Sequence, residues 1–273
     1  MSRLLWPLLF ALVLGACANK PVESPERTEA EQYRQAVKSM EANNYITAID
    51  QLKELEARFP YGNYAEQAQL ELIYSHFRLS EYPETVVAAQ RFMRSYPAHP
   101  HLDYALYMRA LANYYMERGL FDSMMQSDKS SRDLSSALDS FEDFERLVTR
   151  FPDSEYAPDA RSRMLFIRNQ LAAHELHAAR YYARRDAYIA AVNRAQYVVQ
   201  HYQGTPYVPE ALAIMAKGYQ RLDRPELAEK SRRVLAASWP DSEYLSDDDG
   251  SVTLAWWPDH KNGLLSLLTF DLL

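Results

Sequence analysis

The chain has 273 residues, a net charge of −7 and 48% apolar residues, enough material for a sizeable core. The acidic balance argues against a nucleic-acid partner, and a single cysteine leaves no internal disulfide. Only seven glycines against twenty tyrosines, in a chain rich in Ala, Leu, Glu and Arg, predict a helical protein packed with large aromatic side chains.

Met1-Ser2-Arg3 gives a short positive start, and Leu4 to Leu14 is apolar apart from Pro7. Such a core is too short to span a bilayer and reads as a secretory signal over residues 1–16. It ends in Leu14-Gly15-Ala16-Cys17, which resembles the box of bacterial lipoproteins. That resemblance implies cleavage before Cys17 and a covalent lipid there, diacylglycerol on the thiol and an N-acyl chain on the new amino group. The bland alternative is an ordinary signal with a chance cysteine, or a short uncleaved anchor. One acyl chain holds a protein only marginally, at about 0.8 kcal/mol per buried CH₂, whereas three anchor it stably. Ala18 stands where an aspartate would mark inner-membrane retention in that class, which implies export to the cell outer membrane with the chain facing the periplasm. Residues 17–28, with Pro21 and Pro25, read as a flexible tether.

Residues 29–244 carry a repeat. Its landmarks are Phe59-Pro60, Tyr96-Pro97, Phe151-Pro152 and Trp239-Pro240, with Tyr202 in an equivalent context. Phe59 to Tyr96 is 37 residues, as is Tyr202 to Trp239, and the middle gaps of 55 and 51 suggest insertions. Before each landmark runs an amphipathic helix: Ala48, Ile49, Leu52 and Leu55 form one stripe, and Ala191, Val192, Ala195 and Val198 another. Tyr45, Tyr82 and Tyr188 start these helices. Ala36, Ala179 and Ala216 mark close approach by the preceding helix, and proline stops each second helix. A period in the mid-thirties predicts helix pairs that cannot bury their faces alone and must stack. The pattern resembles the tetratricopeptide repeat. The expected fold is all-α, a right-handed superhelical solenoid of about five tetratricopeptide-like pairs, beginning near Glu29, Tyr64, Leu102, Tyr156 and Val208. In the fourth unit Ala157 to Leu171 reads as an extra helix. Residues 122–136, polar and Ser-rich, read as an inserted loop.

Little here suggests catalysis. His174-Glu175-Leu176-His177 is one residue short of the zinc-protease spacing and reads as surface or groove histidines; His99-Pro100-His101 reads as a turn. No phosphate loop or nucleophile elbow occurs. The expectation is a non-enzymatic protein with no metal and no cofactor beyond the lipid. Charge is uneven: Ala157 to Arg233 has thirteen Lys and Arg against seven Asp and Glu, either a docking face for an acidic partner or an ordinary solvated face. The tail, 245–273, is acidic and then apolar. It is too short to cross a membrane, and capping of the final repeat is the favoured reading.

Three strings carry a closer resemblance: Arg58-Phe-Pro-Tyr-Gly-Asn-Tyr-Ala-Glu-Gln-Ala-Gln-Leu-Glu-Leu-Ile-Tyr74, Asp103-Tyr-Ala-Leu-Tyr-Met-Arg109 and Tyr181-Tyr-Ala-Arg-Arg-Asp-Ala-Tyr-Ile-Ala-Ala-Val-Asn-Arg-Ala195. With the lipoprotein box and the repeats, they are similar to the BamD family of the outer-membrane β-barrel assembly machinery. The resemblance implies a scaffold whose C-terminal repeats dock the POTRA domains of the barrel subunit, BamA, with BamC as a further lipoprotein partner. It also implies an N-terminal groove for the C-terminal signal of unfolded outer-membrane β-barrel proteins. Arg194 is the candidate partner contact, and Tyr61, Gly62, Tyr64 and Tyr74 are the candidate groove residues; Phe59, a landmark, is expected in the core. The family's aromatic-Gly-Val-Asp stretch is missing before Arg132-Asp133. The competing reading is another periplasmic repeat lipoprotein, coordinating envelope or peptidoglycan processes.

Overall fold

The computed structural model describes residues 27–116 and 135–258. The signal 1–16, Cys17, nearly all of the tether, the loop up to residue 134 and the apolar tail end 259–273 lie outside the described residues. Every regular element among those described is a helix, in chain order α1 (Glu29–Glu41), α2 (Tyr45–Arg58), α3 (Ala65–Arg78), α4 (Tyr82–Ser95), α5 (Leu102–Met116), α6 (Ser135–Arg150), α7 (Ala157–Arg184), α8 (Tyr188–His201), α9 (Val208–Arg221) and α10 (Pro225–Ser238). The helix starts at Tyr45, Tyr82 and Tyr188 are the expected ones. The all-α reading holds.

The described residues form two compact units, one up to Ala68 and one from Gln69 onward. In the first, α1 opens on a capping box: the Glu31 N–H bonds the Thr28 hydroxyl while the Glu31 carboxylate accepts from the Thr28 N–H at 2.9 Å, satisfying two otherwise orphaned donors. Ala36 of α1 is fully buried with Ala48, Leu52 and Leu55 of α2. A methyl group at position 36 is what lets the two helices close.

The second unit has two neighbouring cores. One gathers Phe92 of α4, Leu106 and Leu111 of α5, Phe144 and Leu147 of α6, and Ile167 of α7. The other gathers Leu176 of α7, Val198 of α8, Ile214 of α9 and Leu235 of α10. Helix α7 serves both. Its 28 residues run unbroken where a separate helix over Ala157 to Leu171 was expected, because no glycine, proline or turn residue interrupts Leu171-Ala172-Ala173. At 1.5 Å per residue it spans about 42 Å, enough to feed Ile167 and Leu171 to one core and Ala172 to Ala183 to the next. Ala179 and Ala216 are buried as expected. A second close approach was not anticipated: a Cβ at Gly218 would run into the Val192 side chain.

The landmarks are helix ends. At Phe59, Tyr96, Tyr202 and Trp239 the backbone leaves helical geometry while the N–H still bonds the carbonyl four residues back. Phe59 departs from expectation in burial. It is half-buried, with the Arg58 guanidinium 5.6 Å from its ring centroid, because a residue at the end of a helix has neighbours on one side only. Within the pairs, the turns share a device that explains the scarcity of glycine: Asn43, Ser80, Asp186 and Asp223, each two residues before the next helix, sit at φ between 55° and 59°. Asn and Asp tolerate this left-handed conformation through short polar side chains.

Residues 245–258 fold back on the last pair. Leu245 and Val252 form an antiparallel bridge, Val252, Leu254 and Trp257 are buried in the second core, and Trp257 stacks on Tyr188 at 5.8 Å. The Arg221 guanidinium donates to the Pro258 carbonyl at 3.0 Å. The capping expected of the tail therefore holds as far as Pro258.

Burial raises several tyrosines: Tyr107, whose hydroxyl also donates to Asp159 at 2.7 Å, Tyr156 and Tyr188 are each pushed up to about 12, and Tyr104, Tyr202 and Tyr244 are raised as well. A hydroxyl raised in the folded state keeps its proton after the unfolded chain has lost it. Stability is therefore intact below the ordinary tyrosine value of about 10 and falls as pH rises through 10 to 12. In an alkaline titration followed by tyrosinate absorbance and circular dichroism, a group of tyrosines should ionise only together with loss of helix. Smooth ionisation of all tyrosines near pH 10 with helix intact would contradict this.

Candidate functional site

Tyr61, Gly62 and Tyr64 lie in the turn between α2 and α3, within the first unit. Pro60 prevents α2 from continuing, so the chain must turn here. The Tyr61 side chain is 100% exposed and offers an aromatic face with nothing on it. Tyr64 is half-buried, its ring stacked on Tyr33 at 4.5 Å and 18°. Gly62 was expected to admit the backbone of a ligand. The space a Cβ would fill there is held by the Glu29 carboxylate, which also accepts from the Tyr64 N–H at 2.7 Å. The close approach is thus used by the chain itself, tying the start of α1 to this turn. Tyr74 belongs to the second unit, where its hydroxyl accepts from Arg78 at 2.6 Å.

Arg194 lies on α8, just off the buried stripe of Ala191, Val192, Ala195 and Val198. Its guanidinium donates to Glu175 of α7 at 3.0 Å, and this carboxylate holds the guanidinium above its usual range. The arginine thus bridges the two helices of one pair, yet its side chain remains 48% exposed. The same helix pair presents an unusual number of uncovered apolar and aromatic groups. Tyr181 is exposed with Arg185 4.5 Å from its ring centroid; Ile189 and Tyr197 are exposed, the latter stacked on His201 at 4.0 Å. Tyrosine and arginine together on an accessible face are the residues that anchor protein interfaces. Sequence reasoning found Arg194 but missed Glu175, Tyr181 and Tyr197. For Tyr197 the signal was available in the spacing of Ile189, Asn193 and Tyr197, a stripe on the side of α8 turned away from the buried one.

In the His174-to-His177 string Leu176 is in the core and Glu175 serves Arg194, so its carboxylate is committed to an ion pair. Among the described residues no three His, Cys, Asp or Glu side chains converge on a point that could hold a metal ion. No described helix is long and apolar enough to cross a membrane.

Comparison with known proteins matches residues 25–235 to the family described as YfiO, outer membrane lipoprotein. The chain is 37% identical over 263 residues to the outer membrane protein assembly factor BamD of Neisseria meningitidis serogroup B, covering 94% of this chain and 98% of that one. It is 37% identical over 231 residues to the BamD of Pasteurella multocida, covering 84% and 88%. Among solved structures it is similar to PilW, a type IV pilus biogenesis factor, at 12% identity and a TM-score of 0.33, covering 80% of this chain and 97% of that one. That likeness is too slight to argue from.

Proposed function

Since the chain belongs to the YfiO family of outer-membrane lipoproteins, and its relatives are named as assembly factors, we propose that it is a non-enzymatic scaffold of outer-membrane protein assembly, held at the membrane by lipid on Cys17. It faces the periplasm, docks the POTRA domains of the barrel subunit BamA through the α7–α8 face, accepts BamC as an accessory partner, and meets unfolded barrel proteins at the aromatic turn around Tyr61. The observation that carries the docking assignment is the half-exposed Arg194 on the same helix pair as the exposed Tyr181, Ile189 and Tyr197. An arginine already positioned by Glu175 spends less entropy on meeting a partner's carboxylate than a free one does.

The test is a pulldown of the full-length protein from detergent-solubilised envelopes, with the recovered proteins identified. Recovery of a large outer-membrane barrel protein is expected. Arg194→Ala should weaken that recovery at low salt by about fivefold, the scale of a partly solvated charge pair rather than a fully desolvated one, and the difference should shrink as salt is raised. A photoreactive group at Tyr61 should crosslink to a peptide copied from the C-terminal strand of a barrel protein. Recovery of cell-wall enzymes without any barrel protein would instead favour a repeat lipoprotein of envelope or peptidoglycan processes.

A further inference from the structure

Within the second unit, α4, α5 and α6 border a cleft of about 280 Å³ that the docking assignment leaves unused. Its apolar part is the buried Leu106 with the half-buried Met93 and Phe151. Its rim carries Arg94, Arg146 and Arg150, all exposed, and no acidic side chain lines it. Arg109 also lines the cleft but is taken by Asp143, to which its Nε donates at 2.8 Å in a two-pronged pair. The same carboxylate lies 3.6 Å from Arg146, so one buried acid answers two guanidiniums. Among the described residues no carboxylate pairs with Arg94 or Arg150. Arg150 lies 5.2 Å from the Phe151 ring centroid and reaches the Pro97 carbonyl at 3.4 Å. Arg146 and Arg150 are one helical turn apart, a spacing at which like charges repel. Four arginines thus meet one carboxylate beside an apolar surface, and two of the four have no acid at all.

Both the sign and the size of this charge select the ligand. A single carboxylate would answer one of the two unpaired guanidiniums and leave the other. A phosphate monoester, at about −1.5 to −2 near neutral pH, answers both. Its three terminal oxygens accept from several directions, as guanidiniums arriving from α4 and α6 require, and arginine forks bind phosphate two bonds at a time. Hydration decides the rest. A free inorganic phosphate would want polar groups on every side, whereas Met93, Leu106 and Phe151 offer hydrocarbon and an aromatic ring. The volume lies just under the range of small-molecule pockets, roughly 300–1,000 Å³, room for a phosphate, its ester stem and the first methylenes beyond it. We infer that this cleft binds the phosphomonoester headgroup of an anionic lipid. The phosphate lies between Arg94, Arg146 and Arg150, and the start of the hydrocarbon rests against Met93, Leu106 and Phe151. A soluble phosphate ester shares the headgroup chemistry but leaves the apolar part of the cleft bare. The chain belongs to a family of outer-membrane lipoproteins, so lipid is within its reach. The site stands on the cleft and does not depend on the scaffold reading.

The probes are dihexanoyl phosphatidic acid, dihexanoyl phosphatidylcholine, glycerol 3-phosphate and inorganic phosphate. Each is titrated calorimetrically into the full-length protein in non-ionic detergent and phosphate-free buffer. The phosphatidic acid should bind at least about tenfold more tightly than phosphatidylcholine, whose phosphate charge is answered by its own ammonium, the scale of one charge-assisted hydrogen bond. It should also bind at least about tenfold more tightly than glycerol 3-phosphate, the scale of two buried methylenes. In the Arg94→Gln/Arg150→Gln protein, which changes two exposed side chains and should keep its helix signal, the preference for phosphatidic acid over phosphatidylcholine should vanish. If the double variant loses helix, the two single variants decide, each expected to bind phosphatidic acid at least about threefold more weakly. Equal binding of the two lipids, a preference untouched by the substitutions, or no binding of phosphatidic acid would each overturn the inference. Glycerol 3-phosphate or inorganic phosphate binding as tightly as phosphatidic acid would overturn it too, assigning the cleft to a soluble anion. The envelope pulldown decides the scaffold reading independently.

Discussion

Replacing Phe144 by Ala should lower the stability of the second unit by about 3–5 kcal/mol, as expected for a large aromatic removed from a closed core. Phe144 is fully buried and sits in one cluster with Leu106 and Leu111 of α5, Leu147 of its own helix and Ile167 of α7. Its ring also lies 6.1 Å from that of Tyr107. Each helix around it is anchored on its other side by further packing, so the site cannot collapse to fill the void. Urea unfolding followed by circular dichroism measures the loss, and Phe144→Leu should recover most of it. A change below about 1 kcal/mol for the alanine variant would mean that α5 and α7 close over the gap. Phe59, half-buried at a helix end, should lose clearly less than Phe144 under the same substitution.

Arg180→Ala should cost about 3 kcal/mol at neutral pH, for a different reason. The Glu210 side chain is 5% exposed, and Arg180 meets it with both prongs, Nε to Oε1 at 2.6 Å and Nη2 to Oε2 at 2.5 Å. An ion pair of this kind adds little net stability, because both charges must leave water, but removing one partner strands the other in a poorly solvated place. Adding Glu210→Gln to Arg180→Ala should therefore restore much of the loss, because an unpaired neutral amide costs less to bury than an unpaired carboxylate. A deficit that the second substitution leaves unchanged would show that lost packing of the arginine stem is responsible.

Helix ends were the most legible part of the fold. Aromatic-Pro pairs announce a stop through backbone chemistry that operates wherever the residues occur, and helices do end at Phe59, Tyr96 and Trp239. Apolar stripes at helical spacing identified the buried faces of α2 and α8 for a similarly local reason. The continuity of α7 was not legible, since helix-forming residues through Leu171-Ala172-Ala173 fit one helix or two and only the presence of a second core decides. The left-handed residues between paired helices were hidden as well. Asn43 and Asp186 are ordinary polar residues in the sequence, and nothing local requires their positive φ. Among the candidate site residues, full exposure at Tyr61 was readable from a polar turn after a proline, whereas the Glu29 carboxylate beside Gly62 comes from 33 residues away and left no local trace.

The sequence by itself determined a helical repeat protein: short-range rules of periodicity, capping and proline geometry act within one or two turns of chain, and those turns are written out residue by residue. The lone Cys17 and the short apolar stretch before it are legible in the same local way. Only the tertiary structure decided which charges are already spent. Arg194 on Glu175, Arg180 on Glu210 and Arg109 on Asp143 are pairs 19, 30 and 34 residues apart, while the cleft that Arg94 and Arg150 line has no acidic side chain in it. In the sequence these arginines look alike. The energy of a charge depends on what surrounds it within a few ångströms and on how far water is excluded, and helix stacking fixes both by bringing distant residues together.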